Sequence, residues 1–279
     1  MTRSAKILTY AILCAWAVVC LFPLYWIAVS SVKTPGQIMQ GPYYLPFGDF
    51  MPSLDAWRFI LGDDRENLVW RFINSATVAL AATLLCLIFG GMAAYGISRF
   101  RVPWISGGTV MTAILATRIL PPAVLVLPFY FMAHFANLLD TRTALIAAYT
   151  AINLPVAAWL LQPVFGPKAS DQEEAAFLDG ASRFRVFFEI AVPMAAAGLA
   201  ASGLLIFVLC WNEYLLAANL AADHAMTLPP WMVGQLSMKE AQVGGEDEEW
   251  AHLSAATVLM TAPLLLFVTF VQRALARVV

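Results

Sequence analysis

The chain has 279 residues, 61% hydrophobic and only 12% charged, and its 16 basic and 18 acidic side chains leave a net charge of -2. A soluble domain of this size is about half apolar and about a quarter charged, so the composition excludes an ordinary water-soluble enzyme and makes lipid the main solvent. Positive charge forms no patch suited to nucleic acid, and Cys14, Cys20, Cys86 and Cys210 lie in apolar runs without CxxC or Cys/His spacing, which argues against a metal or disulfide framework.

The first element is an apolar run over residues 7–32. A membrane-crossing helix needs about 20 mainly apolar residues. This run is too long for the core of a signal peptide and reads as an uncleaved span. The segment Lys33–Arg71, rich in Pro, Gly and aromatics, follows outside the membrane. A second span covers 72–98 and ends in the basic turn AAYGISRFRVP (Ala93–Pro103). The third, 104–131, contains Arg118 and the pair Pro121–Pro122. Neither proline offers an N–H, so a helix kinks or ends there, and the stretch reads as one span plus a re-entrant or surface tail. A fourth span covers 143–165, a polar loop 168–193, a fifth span 194–218 and a sixth 252–274. Between the last two lies Asp223–Trp250 with its acidic run Glu246, Asp247, Glu248 and Glu249, a pattern most often found in solvated loops. The expectation is an all-α integral membrane protein, a single domain of six transmembrane helices over 1–279, with no internal repeat.

Orientation follows from Lys and Arg. With the N-terminus inside, Arg3, Lys6, Arg99, Arg101, Lys168, Arg183, Arg185, Arg273 and Arg277 fall on the inner side. Most outer Lys and Arg residues fall in the long Lys33–Arg71 segment, and the rule counts short loops. Both termini are then expected in the cytoplasm.

The loop 168–193 is unusual for a simple connection. Ser170 and Glu173 have capping-box spacing, which starts a helix near Asp171. Gly180 can take the positive φ that ends one. A second short helix would place Phe184, Phe187 and Phe188 on one face, pair Arg185 with Glu189 at i, i+4, and stop at Pro193. Ala175 and Ala176 are small enough for another surface to come close. Spacing alone fits either a docking element or an interfacial helix lying on lipid.

The order Glu174-Ala175-Ala176, Gly180, Ile190, Val192-Pro193 resembles the EAA signature of ABC importer permeases, with Val192 where that family usually has Leu. Asp179-Gly180-Ala181 matches its common DGA form. AAYGISRFRVP, LPPAVLVLPFYF (Leu120–Phe131), NLLDT (Asn137–Thr141) and WNEYLLA (Trp211–Ala217) extend the resemblance over nearly the whole chain, to the MalG-like subunit of carbohydrate importers. The resemblance implies a type I ABC importer permease fold in a bacterial inner membrane. It implies a second, MalF-like permease subunit, an ATPase dimer that binds ATP and Mg, and an extracytoplasmic solute-binding protein as partners. It also implies that 168–193 is the coupling loop, with Glu174, Ala175, Ala176, Asp179 and Gly180 contacting the ATPase as ATP binding drives alternating access. The chain carries no cofactor of its own, and no G-x-x-x-x-G-K-[ST] occurs in it.

Arg118 and Glu213 are charges within spans, where each by default marks a pathway or a pair. They could neutralise each other and fix helix packing, or line the path of the solute. Trp211 and Asn212 beside Glu213 would suit a sugar, though a tryptophan in a span more often packs. The carboxylate pairs Asp63–Asp64 and Glu173–Glu174 read as solvated, and His134, His224 and His252 lack ligand spacing. No nucleophile or zinc-protease motif appears. Two alternatives remain: the same machinery carrying a polyol, sugar derivative or osmolyte, and an ion-coupled secondary transporter, which would need coupling-ion sites in broken helices.

Overall fold

A backbone in lipid has no water to satisfy it, so apolar runs close their own hydrogen bonds as helices. The computed structural model describes residues 3–62, 65–100, 106–166, 170–234 and 249–275, and among these no strand occurs beyond an isolated bridge between Pro46 and Phe50. The order is α1 (Arg3–Ser30), α2 (Pro35–Gln40), α3 (Asp55–Leu61), α4 (Arg65–Arg99), α5 (Gly107–Ala116), α6 (Pro122–Phe135), α7 (Arg142–Leu161) and α8 (Ser170–Leu178). Then come α9 (Arg183–Val186), α10 (Val192–Met194), α11 (Ala196–Trp211), α12 (Leu215–Leu220), α13 (residues 228–234) and α14 (Glu249–Leu275). Asp63, Asp64, Arg101, Lys168 and the acids Glu246, Asp247 and Glu248 lie outside the described residues.

Four continuous segments are long and apolar enough to cross a membrane: Ala5–Ser30, Leu68–Arg99, Arg142–Leu161 and Trp250–Arg273. Two further candidates are bent. Gly107–Ile119 meets Pro122–Phe135 at 87°, and Arg183–Met194 meets Ala196–Trp211 at 77°. Counting each bent pair as one span gives six.

The sequence reading has a span over 104–131 kinked or ended at Pro121–Pro122; the chain forms two limbs there. A 3-10 turn, Thr117–Ile119, closes the first, Leu120 is extended at ψ 124°, and Pro122 stands in the first turn of the second. That is the conformation a residue before proline is driven to, and the helix position where proline is tolerated. The fifth span, read as 194–218, has its α-helix from Ala196 to Trp211, followed by a break and the short α12.

The chain divides into two compact units. One holds Met1–Val69 with Trp231–Pro263. Most of α1 in this unit is bare, with large apolar side chains exposed along it. The segment after it is ordered: Ser53 N–H donates to the Val32 carbonyl (2.8 Å), Trp57 Nε1–H donates to Ser31 Oγ (3.3 Å), and Phe59 stacks on His252 at 4.0 Å.

The other unit holds Trp70–Pro230 with Leu264–Val279. Helices already in lipid gain little from apolar burial, so close packing and polar links must hold them. A Cβ at Gly90 would lie 2.8 Å from the Ala157 Cβ, so α4 meets α7 at a position only glycine fills. Near the Arg99 end of α4, Ala94, Tyr95, Leu161, Phe165, Ala191 and Ala195 form a buried cluster against which Phe187 packs. This cluster seats the segment that carries the candidate site.

Candidate functional site

The segment 170–194 lies entirely in the second unit. α8 ends as its sequence demands. Gly180 has φ +84°, its N–H donates to the Phe177 carbonyl (3.1 Å), and Ala181 N–H donates to Ala176 (3.0 Å). This pair of bonds around a left-handed glycine is the Schellman stop. Ser182 Oγ then accepts from Arg185 N–H and starts α9. Arg185 Nε–H donates to Glu189 Oε2 at 2.9 Å, the expected i, i+4 pair.

Pro193 does not stop the helix. A π-turn over Phe187–Ala191 precedes it, with Val192 N–H donating to the Phe187 carbonyl, and the chain stays helical to Met194. A widened turn accommodates a residue that has no N–H and whose ring crowds the preceding carbonyls. The expected phenylalanine stripe divides: Phe187 packs on Tyr95 (ring centroids 4.9 Å), while Phe184 and Phe188 stay exposed.

Glu173 departs most from the sequence reading. It is neither solvated nor free for a capping box, being 2% exposed. Arg99 clasps it with two bonds, Nε–H to Oε2 (2.8 Å) and Nη2–H to Oε1 (2.9 Å), and Tyr95 Oη–H donates to Oε2 (3.0 Å). Arg99 Nη1–H also donates to the Phe165 carbonyl at 2.8 Å. The buried two-pronged pair fixes α8 to the end of α4. The Ser170 side chain lies outside the described residues. Glu174, Ala175, Asp179 and Gly180 are exposed and Ala176 is half-buried. Leu178 beside them is 90% exposed. One side of α8 is therefore locked to its own chain and the other is bare, apolar and acidic.

The four residues considered for a solute path do not converge. Arg118 sits in the 3-10 turn at the break between α5 and α6, and its Nη2–H donates to Asn153 Oδ1 at 3.1 Å. Asn153 is buried in α7, and its Nδ2–H group donates to the Tyr149 carbonyl (2.9 Å) and Cys210 Sγ (3.4 Å). Glu213 is no partner of Arg118. It stands just past α11, and its carboxylate accepts the N–H groups of Leu216 (2.9 Å) and Ala217 (3.1 Å), capping α12. Its placement at a break between helices, where free N–H groups need an acceptor, explains the difference. Trp211 is 3% exposed and packs on Phe72 and Phe207, at 5.6 and 5.7 Å. Asn212 is exposed, with its side-chain amide donating to the Val208 carbonyl.

A second polar cluster, not singled out from the sequence, ties the other end of this unit. The Asp140 carboxylate accepts four N–H groups, from Ala222 (2.9 Å), Asp223 (3.2 Å), His224 (3.0 Å) and Ala225 (3.0 Å). Burial pushes this carboxyl up, but those N–H groups, Ala225 first, hold it below the ordinary carboxylate range. Arg71 donates to the Asp223 carbonyl and carboxylate, and buried Asn74 donates to the His224 and Met226 carbonyls at 2.9 Å. The signal for it in the sequence is the Asp of NLLDT, which takes φ +56°. Among the described residues no group of His, Cys, Asp or Glu could hold a metal ion.

Comparison with known proteins agrees with this architecture. The family profile of the binding-protein-dependent transport system inner membrane component matches residues 86–279. The chain is 32% identical over 277 residues to the diacetylchitobiose uptake system permease protein NgcG of Streptomyces coelicolor, covering 98% of this chain and 87% of that one. It is 29% identical over 256 residues to the trehalose transport system permease protein SugB of Mycobacterium tuberculosis, covering 91% and 88%. In fold it is similar to a chain of a bacterial ABC transporter involved in the import of the acidic polysaccharide alginate, with TM-score 0.68, 22% identity and 98% of both chains covered.

Proposed function

The chain belongs to the family of binding-protein-dependent transport system inner membrane components, and from that premise we propose that it is a permease subunit of an ATP-driven importer of a carbohydrate or closely related solute. Relatives named for diacetylchitobiose and trehalose support this class of cargo. The membrane is the bacterial inner membrane. The partners are a second permease subunit, a dimer of ATP-binding subunits that holds ATP and Mg, and an extracytoplasmic solute-binding protein.

Coupling runs through the segment 168–193. The observation that carries this reading is the two-sided build of α8 and its glycine stop. Glu173 is locked to Arg99, while Glu174, Ala175, Asp179, Gly180 and Leu178 present a bare face. With half-buried Ala176 beneath them, these residues form the ATPase contact. Of the four residues considered for the solute path, Trp211 and Glu213 act in packing and capping, and a contact of Arg118 or Asn212 with cargo is part of this proposal.

Purification of the tagged chain from its native membrane in mild detergent tests the reading. Stoichiometric recovery of a P-loop ATPase and a second permease is expected. A chain that purifies alone and transports on an ion gradient would overturn it.

A further inference from the structure

The connecting segment after α1 turns back along the helix it came from. Tyr25 Oη–H donates to the Tyr44 carbonyl at 2.6 Å. The Tyr44 ring lies 5.6 Å from Trp26 and 6.3 Å from Phe22. Phe22 is eight residues before the end of α1 at Ser30, which at about 1.5 Å rise per residue is roughly 12 Å back along the axis. The Tyr44 end of the turn therefore stands level with the last apolar turns of the span, where Tyr and Trp mark a lipid–water boundary, and its Phe50 end lies beside Lys33 just past the helix.

This segment is built as a rigid turn. Asp49 Oδ2 accepts the N–H groups of Tyr44 and Leu45, both at 2.9 Å. Asp49 N–H donates to the Leu45 carbonyl (2.9 Å) and Phe47 N–H to the Phe50 carbonyl (2.8 Å). The turn forces Phe47 to φ +66°, a region bulky side chains avoid. Beneath it the Lys33 ammonium lies 4.3 Å from the Trp26 ring and 5.4 Å from that of buried Phe50. Yet the turn's own apolar side chains point outward: Phe47 is 78% exposed, Met51 70% and Leu45 61%. A strained turn that displays three large apolar groups to water would be unfavourable on both counts.

We propose that the turn Tyr43–Met51 is an interfacial anchor that inserts Leu45, Phe47 and Met51 into the lipid leaflet at the carboxyl end of α1. Lipid is the occupant because the turn is continuous with the bare surface of α1 and lies at its depth. Insertion of three such side chains at the headgroup–acyl boundary suits an element without a transmembrane length of its own.

Spin labels test this in the assembled transporter, reconstituted in phosphatidylcholine–phosphatidylglycerol vesicles. Cys14 and Cys20 are replaced by Ala; Cys86 and Cys210 are buried and can stay. A label is attached to Phe47→Cys and, separately, to Leu45→Cys, with Val18→Cys in the span and Asp55→Cys in the connecting segment as references. The expected result is strong oxygen collision and weak collision with a water-soluble nickel chelate at both positions. Their oxygen-to-nickel ratio should be close to that at residue 18 and several-fold above that at residue 55. Nickel accessibility equal to that at residue 55 would overturn the proposal in favour of an aqueous face. Protection from both reagents would overturn it in favour of a contact with another protein chain.

Discussion

Gly180 separates two effects that usually arrive together. Its φ is +84°, yet a Cβ added there meets nothing within 4 Å. Within this chain a side chain therefore costs only the left-handed strain, about 1 kcal/mol. Asn tolerates that conformation better than most residues. Gly180→Asn and Gly180→Asp should both insert and assemble, and both should abolish coupled uptake while the complex still hydrolyses ATP. The pair of rates, uptake and phosphate release, checks this; normal uptake by Gly180→Asn would remove Gly180 from the docking face. Glu173 gives the complementary case. Truncating one member of a buried ion pair costs about 3–5 kcal/mol, whereas replacing both members by apolar groups can be nearly neutral. Glu173→Ala should lower the thermal midpoint of the purified complex more than the double replacement Glu173→Met with Arg99→Met. Equal losses would mean that the pair does not hold α8. By the same reasoning, Asn153→Leu should impair assembly by stranding the Arg118 guanidinium, and adding Arg118→Met should restore it. Co-purification of the partner subunit measures both.

At the scale of elements, the clasp around Asp140 carries a pH dependence whose sign is fixed. A carboxyl held below its ordinary value stabilises the fold above the unfolded pKa, about 3.9, and loses that contribution as pH falls through the lower folded value. The amide protons of Ala222, Asp223, His224 and Ala225 should therefore be protected from exchange near neutral pH and lose protection below about pH 4 beyond the intrinsic pH trend of exchange. Asp140→Ala should abolish that dependence; an unchanged profile would show that these amides are held otherwise. The elements themselves were legible in the sequence. Apolar runs gave the four continuous span candidates and the two bent ones, Pro121–Pro122 gave the break in the third, and Gly180 gave the stop of α8. The bend of 77° before α11 was not. It rests on a π-turn ahead of Pro193 and on Ala195 at ψ -2°; the proline signals a stop at that place, not a widened turn followed by a bend. The Asp140 clasp and the Arg99–Glu173 pair join residues 74 or more positions apart. Spacing along a chain cannot report such contacts, and so Glu173 read as solvated and the Asn153 amide was not weighed as the partner of Arg118.

For the whole molecule, the family was legible as a motif, and the structure adds why that motif faces outward. The Glu174–Gly180 stretch is the exposed side of an element whose buried side is already occupied by Arg99 and Tyr95. These 279 residues contain no P-loop, and under the proposed coupling the free energy for concentrating a solute would enter from an ATPase chain through that face. An ion-coupled carrier would instead need coupling-ion ligands in its broken helices. At the break of α5 and α6 the charge is cationic, Arg118, and at the break after α11 the Glu213 carboxylate is already spent on two backbone N–H groups. Neither site offers an open carboxylate to a sodium ion or a proton. Vesicles containing the full complex should accumulate cargo only with ATP inside the compartment that faces α8, and the rate should be unchanged when sodium and proton gradients are collapsed. Removing the ATPase subunits should abolish accumulation under any gradient. Uptake that survives their removal would mean that the broken helices, and not the coupling segment, drive transport.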